Sequence, residues 1–186
     1  FTATTPEIDA AKILAKRLKQ RDKDSITIVG GAHASALPEG CLRDGWDIVA
    51  VGEWEYAIVK LLKNGHPVGI IHAGLIPKLD ALPFPARHLA GERAFSTTLM
   101  PGHTWGEGER AAMLISSRGC PYRCNFCASA RTLPVRFRSP ENIAAEVQEL
   151  VERYGVRAFR DESDNLLANR KWFLKLCALL APLKVR

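Results

Sequence analysis

Short apolar runs, each closed by glycine or a polar cluster and each followed by a stretch of helical periodicity, constrain this chain more than any other feature. Ile26 to Val29 ends at Gly30-Gly31, and Asp47 to Val51 ends at Gly52-Glu53. Continuous apolar runs of this length read as strands buried on both faces, the pattern of parallel sheets. Helical signals flank them. Thr5, Pro6 and Glu7 supply an N-cap hydroxyl, a proline at the first helical position and an early acid. Ile8, Ala11, Leu14, Ala15 and Leu18 then recur at spacings of three and four and predict one apolar helix face. Further helical segments are expected from about Ser35 to Arg43 and from Tyr56 to Leu62, the latter stopping at Asn64-Gly65. Strand alternating with helix predicts a parallel α/β sheet whose ligands gather at the carboxyl ends of the strands. Gly30-Gly31 lacks the Gly-x-Gly-x-x-Gly spacing of a dinucleotide fold, and a double glycine alone is a turn as readily as a phosphate site.

From Asn64 to Arg110 the pattern loosens. Pro67, Pro77, Pro83, Pro85 and Pro101, with seven glycines in the same stretch, argue against long regular elements and for an interdomain connection. Its apolar content, as in Leu79 to Arg87, suggests a segment packed on the protein surface. Regular structure is then expected to resume with a strand at Ala111 to Ile115. Ser139-Pro140-Glu141 repeats the helix-start chemistry; Ile143, Val147, Leu150, Val151 and Tyr154 share a face, and Gly155 supplies a stop. A strand is expected at Val156 to Phe159, and a last helix from Asn169 to Leu180 with Trp172, Phe173, Leu176, Leu179 and Leu180 inward.

Between these halves lies the stretch that carries chemistry. Cys120, Cys124 and Cys127 follow the Ala111–Ile115 run at spacings of four and three. Thiolates are soft ligands that select zinc, copper(I) or iron–sulfur clusters, and structural zinc usually takes four protein ligands. A second cysteine pair is missing, so zinc would need His103 or Cys177 as a fourth ligand. Three thiolates on a cubane leave one iron open to a small molecule. Disulfides fit poorly with five cysteines and no apolar segment opening the chain, and three thiols this close read as ligands in a reducing compartment. Composition agrees with a globular protein, 47% hydrophobic and 25% charged, and no apolar run approaches the ~18 residues of a membrane span. The net charge of +6 is concentrated locally. Arg118, Arg123, Arg131, Arg136 and Arg138 surround the cysteine loop with no carboxylate among them, which suits an anionic small molecule as well as nucleic acid.

The Cys120, Cys124, Cys127 spacing resembles the signature of the radical S-adenosylmethionine (SAM) enzymes. The resemblance implies that these cysteines hold a [4Fe–4S] cluster whose fourth iron binds SAM, and that Phe126 contacts the adenine. Asp161 and Asp164, in the acidic stretch at the end of the second strand, are read by the same resemblance as contacts for SAM or substrate. A solvated loop capping the next helix is the competing reading. His103 and Trp105 are further candidates to line the site. Cys177, one helical turn from Phe173, is expected in the core.

Thr2 to Thr5, Val29-Gly30-Gly31-Ala32-His33 and Val51-Gly52-Glu53 together resemble the later half of the cobalamin-binding domain that precedes many radical SAM domains. The resemblance implies that Thr4, Thr5, Gly30, Gly31, Gly52 and Glu53 contact the corrinoid, with His33 either supporting it or lying on the surface. The expected organisation is therefore α/β. Residues 1–63 form the later half of a Rossmann-like cobalamin-binding domain, 64–110 the interdomain linker, and 111–186 the first units of a radical SAM partial (β/α) barrel. Beginning at Phe1 and ending 59 residues after Cys127, the chain reads as a fragment, inactive alone.

The implied parent activity is B12-dependent radical SAM chemistry: reductive cleavage of SAM to a 5′-deoxyadenosyl radical, used for methylation of, or ring formation on, an unactivated carbon. Implied partners are a small-molecule substrate and a one-electron donor such as a flavodoxin or ferredoxin. A cytoplasmic location is expected, with no membrane span and no nucleic acid. tRNA methylthiotransferases would need more cysteines than Cys41 in the first half. The alternatives are a zinc-stabilised nucleic-acid-binding module and a corrinoid carrier with a structural cluster.

Overall fold

The computed structural model describes residues 1–65, 67–95, 109–127 and 134–186. They form two compact units, Phe1–Ile76 and Pro77–Arg186. His103, Trp105 and Arg131 lie outside the described residues.

In the first unit the expected elements form with shifted edges. Helix α1 runs Ile8–Arg21, β1 Ile28–Val29, α2 Ala32–Ala36, α3 Pro38–Arg43, β2 Ile48–Val51, α4 Glu55–Asn64 and β3 Gly69–His72. The segment expected as one helix from Ser35 divides at Leu37-Pro38, because proline lacks an N–H and disfavours helical backbone in the residue before it. The cap before α1 is Thr4 rather than Thr5: its N–H and hydroxyl donate to the Glu7 carboxylate at 2.9 and 2.7 Å.

The three strands are parallel in the order β1-β2-β3, with Val29 opposite Val49 and Val51 opposite His72. Gly69–His72 was expected inside the interdomain connection. Its main chain instead completes the ladder of β2, so the first unit extends to Ile76. Two prolines and three glycines nearby hide a strand whose place is set by pairing rather than by local propensity. Ala3, Ile8, Ala11, Ala15, Val29, Ala34, Cys41, Trp46 and Val49 make the core. Leu14 and Leu18, expected on the buried face of α1, lie at the margin of its stripe and remain exposed.

Asp47 ties three elements together at the amino end of this sheet. It accepts from Lys19 Nζ at 2.5 Å, and from the Thr27 N–H and hydroxyl at 2.7 Å each. Burial pushes its carboxyl up, but the Lys19 bond and then the two Thr27 bonds outweigh that and hold its pKa at about 2. An unfolded aspartate titrates near about 3.9. The folded value is the lower one, so the stabilisation is present above about pH 4 and disappears as pH falls toward about 2. Asp47→Asn should flatten this acid limb by on the order of 1 kcal/mol, allowing for solvent screening. Urea titrations of both proteins at several pH values check this; parallel curves would remove Asp47 from the account.

The second unit contains β4 (Ala111–Leu114), β5 (Ser117–Arg118), β6 (Arg136–Phe137), α5 (Pro140–Tyr154), β7 (Ala158–Asp161) and α6 (Arg170–Leu180). β4 and β7 pair in parallel, Ala111 opposite Ala158 and Leu114 opposite Asp161, while β5 and β6 form a short antiparallel ribbon. Strand β7 starts two residues later than its apolar run suggests. Val156 is buried as a lead-in, and the ladder continues into the polar Arg160 and Asp161 because Glu162 N–H still reaches Leu114 O, at 2.8 Å. Helix α5 is capped by the Ser139 hydroxyl, which accepts from Asn142 N–H, and ends at Gly155 with φ +65°. Ala112, Leu114, Ile143, Val147, Leu150, Val156 and Leu176 pack with Phe95 as the core. On α6, Leu176 is buried, while Trp172, Phe173 and Leu180 are half-buried and Leu179 is exposed. Cys177, expected in the core, is exposed.

Glu146, on the inward side of α5, is 2% exposed. Its carboxylate lies 2.7 Å from Arg87 Nη2 and 2.5 Å from Arg138 Nη1. Arg87 also donates to Met113 O and Arg138 to Ile115 O, so the ion triad holds the segment around Arg87 against β4. That segment belongs to the second unit. Glu146→Gln keeps the shape but leaves two arginines without a counter-charge, and should cost about 2 kcal/mol. Thermal unfolding checks this; an unchanged midpoint would mean that the arginines find another anion.

Candidate metal and cofactor sites

The cysteine loop leaves β4 at its carboxyl end and is clasped at its base. β5 and β6 close the ribbon on either side of residues 119–135, and Arg138 N–H donates to Ser116 O at 2.9 Å. From the other side comes the polar turn after β7. Ser116 Oγ donates to Asp161 Oδ2, and Ser163 Oγ accepts the N–H groups of Ser116 and Ser117 at 2.9 Å each. Asp164 accepts from the buried Gly119 N–H at 2.8 Å, and the Asn165 amide lies 3.9 Å from Cys120 Sγ. Gly119 has φ +84°, a conformation that favours glycine.

Asp161 and Asp164 thus bind the cysteine loop itself. The competing expectation, a solvated loop that caps the next helix, describes part of the stretch: Asn165 stands at the N-cap of the 3-10 turn Leu166–Ala168, whereas α6 is capped by Asn169, which accepts from Trp172 N–H at 3.1 Å. The first cysteine of the loop is half-buried, the second exposed and the third half-buried, with a turn bringing Cys127 N–H to Cys124 O at 3.1 Å. Phe126 is 88% exposed at the tip of that turn. Among the described residues no three His, Cys, Asp or Glu side chains are gathered closely enough to hold a metal ion. The donor set suits an iron–sulfur cluster, three soft thiolates on one loop, and the metal itself would have to draw them together.

The arginines around the loop are less available than their clustering suggests. Arg136 is buried and donates to Pro134 O, and Arg138 is spent on Glu146.

In the first unit, parallel pairing brings Thr4 and Thr5, Gly30-Gly31, and Gly52-Glu53 to the carboxyl edge of the sheet, with Thr2 bridged to Gly30. His33 Nδ1 lies 3.1 Å from Thr5 Oγ1. The glycines also serve the chain. A side chain at Gly31 would meet Thr2 Oγ1 at 2.6 Å, and one at Gly52 would meet Ala73 O at 2.1 Å. Glu53 accepts from Ile76 N–H at 2.6 Å. Thr4, Thr5, Gly31 and Gly52 are exposed on this edge. Cys41 is fully buried, and burial pushes its thiol pKa up, as for an inert core thiol.

Two protein families match the chain, one in each half. Residues 1–62 match the B12 binding domain family, and residues 114–181 match the Radical SAM superfamily. The chain carries a B12-binding domain and a radical SAM domain. The first indicates cobalamin, and the second a [4Fe–4S] cluster and SAM.

Among relatives, the chain is 27% identical to an anaerobic magnesium-protoporphyrin IX monomethyl ester cyclase of Cereibacter sphaeroides, over 95% of this chain and 31% of that protein. It is 28% identical to an uncharacterised methyltransferase of Pyrococcus horikoshii, over 92% of this chain and 40% of that one. It is also 25% identical to a cytidylyl-2-hydroxyethylphosphonate methyltransferase of Streptomyces wedmorensis, over 77% and 35%. The chain therefore spans about a third of the length of the curated relatives it matches. Both domain matches favour the enzyme class over a zinc-stabilised nucleic-acid module. No helix among the described residues is long and apolar enough to cross a membrane.

Proposed function

We propose that Cys120, Cys124 and Cys127 hold a [4Fe–4S] cluster with one iron left for SAM, and that the whole protein is a B12-dependent radical SAM methyltransferase or cyclase. When bound, the cluster and SAM supply a 5′-deoxyadenosyl radical and cobalamin a methyl group, for methylation of, or ring formation on, an unactivated carbon. The observation that carries the reading is three thiols on one loop at the carboxyl end of a parallel strand, inside the stretch that matches the radical SAM family. The protein's own part is to bind and place these groups. Phe126 offers an exposed ring beside Cys127 for the adenine of SAM, and Thr4, Thr5, Gly30 and Gly31 line an exposed edge for the corrinoid. Gly52 and Glu53 shape that edge by packing on residues 73–76.

On this reading the first unit is the later half of a Rossmann-like domain and the second the opening units of a partial (β/α) barrel. The substrate is a small molecule, and the electron comes from a one-electron donor such as a flavodoxin or ferredoxin in a reducing cytoplasm. Anaerobic reconstitution with iron and sulfide, then EPR of the dithionite-reduced protein with and without SAM, tests it. A four-iron signal that changes with SAM is expected. Tight zinc binding with no iron uptake would overturn the reading.

A further inference from the structure

The polar turn after β7 does more than border the cysteine loop. Four side chains, one from the last residue of β7 and three from the turn, reach the segment 116–120. Ser163 takes two successive backbone N–H groups and Asp161 a hydroxyl, while Asp164 takes the amide of the left-handed Gly119 and Asn165 faces the sulfur of Cys120. Ser163 is itself oriented by its N–H, which donates to Asp161 Oδ1 at 2.8 Å. The bonds end at Cys120. Cys124, four residues on, is exposed.

We propose that Ser163 and Asp164 are positioning residues that hold Cys120 in place before any metal arrives, making it the anchor to which Cys124 and Cys127 are gathered. Asn165 directs an amide N–H at the anchor's sulfur. The proposal rests on the reading that these cysteines are cluster ligands, but the clamp itself belongs to the metal-free chain. Its physical basis is direct. A buried backbone N–H without an acceptor is costly, so the 116–119 main chain stays where Ser163 and Asp164 accept from it, and that fixes the position of the next residue. A thiol already in place spares part of the ordering entropy that metal binding must otherwise meet.

The test uses two readouts on the whole chain. In metal-free protein, alkylation by iodoacetamide is followed cysteine by cysteine by peptide mass spectrometry. Cys120 should react about tenfold more slowly than Cys124 because it is held. Ser163→Ala combined with Asp164→Ala should bring Cys120 to the Cys124 rate, whereas Ser163→Thr with Asp164→Asn keeps an acceptor at both places and should restore protection. In reconstituted protein, iron loss to a chelator should be about tenfold faster in the double alanine variant and normal in the Thr/Asn variant. Asn165→Ala should retain its iron but show a lower midpoint potential, since hydrogen bonds to cluster sulfurs favour the reduced form. A threefold to tenfold change in the reduction equilibrium is expected, tenfold being about 59 mV for one electron.

Unchanged Cys120 labelling in the double alanine variant, or failure of the Thr/Asn pair to restore it, would overturn the clamp. Selective loss of Cys120 protection in a chain that takes up no iron would uphold the clamp and refute the cluster reading instead.

Discussion

Replacing Cys124 with alanine should leave a protein that retains almost none of the roughly four irons per chain expected of a reconstituted cubane. Two thiolates cannot hold such a cluster against loss to solvent. The position makes the experiment clean, because Cys124 is exposed and its side chain supports no core. Any loss of iron then reports a missing ligand and not a damaged fold, which circular dichroism can verify. Cys177→Ala is the matched control. It also removes an exposed thiol, on α6, and should assemble the cluster normally. Full iron content and full cluster absorbance in Cys124→Ala would strike that cysteine from the ligand set.

Gly52→Ala should be the most damaging single substitution in the first unit, costing about 4 kcal/mol, a large part of the 5–15 kcal/mol that typically holds a domain together. Two effects combine. Gly52 has φ +93°, and a Cβ there would sit 2.1 Å from Ala73 O and 3.1 Å from its carbonyl carbon. Both atoms are backbone. The chain at Ala73 is fixed by its N–H, which donates to Val51 O at 2.8 Å, so it cannot retreat without opening the end of the β2-β3 ladder. Gly45→Ala separates the two effects, since Gly45 has the same φ of +93° but nothing within 4 Å of the added carbon. It should cost only the conformational strain, about 1 kcal/mol. Urea unfolding of both variants measures the difference, and equal losses would show that the close approach to Ala73 carries no weight.

The alternation of apolar runs and amphipathic stretches was enough to specify parallel α/β structure, because burial on both faces of a strand and on one face of a helix are local patterns. Ser139, Pro140 and Gly155 marked α5 for the same reason: caps act within one turn. The cysteine spacing likewise announced its chemistry, since ligands on one loop are neighbours in sequence. Glu146 was within reach of the same reasoning. It sits at the three-and-four spacing of Ile143, Val147 and Leu150, and a carboxylate on an apolar face implies a buried cation.

Other features depended on partners far along the chain. β3 exists because β2 offers it a ladder, and on α1 it is Ile8, Ala11 and Ala15 that join the core while Leu14 and Leu18 stay exposed. Asp161 and Asp164 read as ligand-facing acids; only the pairing of β4 with β7 puts them beside Ser116 and Gly119, some 45 residues earlier, where their oxygens accept from the cysteine loop. Composition and spacing report which groups are present and which neighbours they have within a turn or two. Which acceptor satisfies which distant N–H is settled by strand register, and register is a property of the folded sheet.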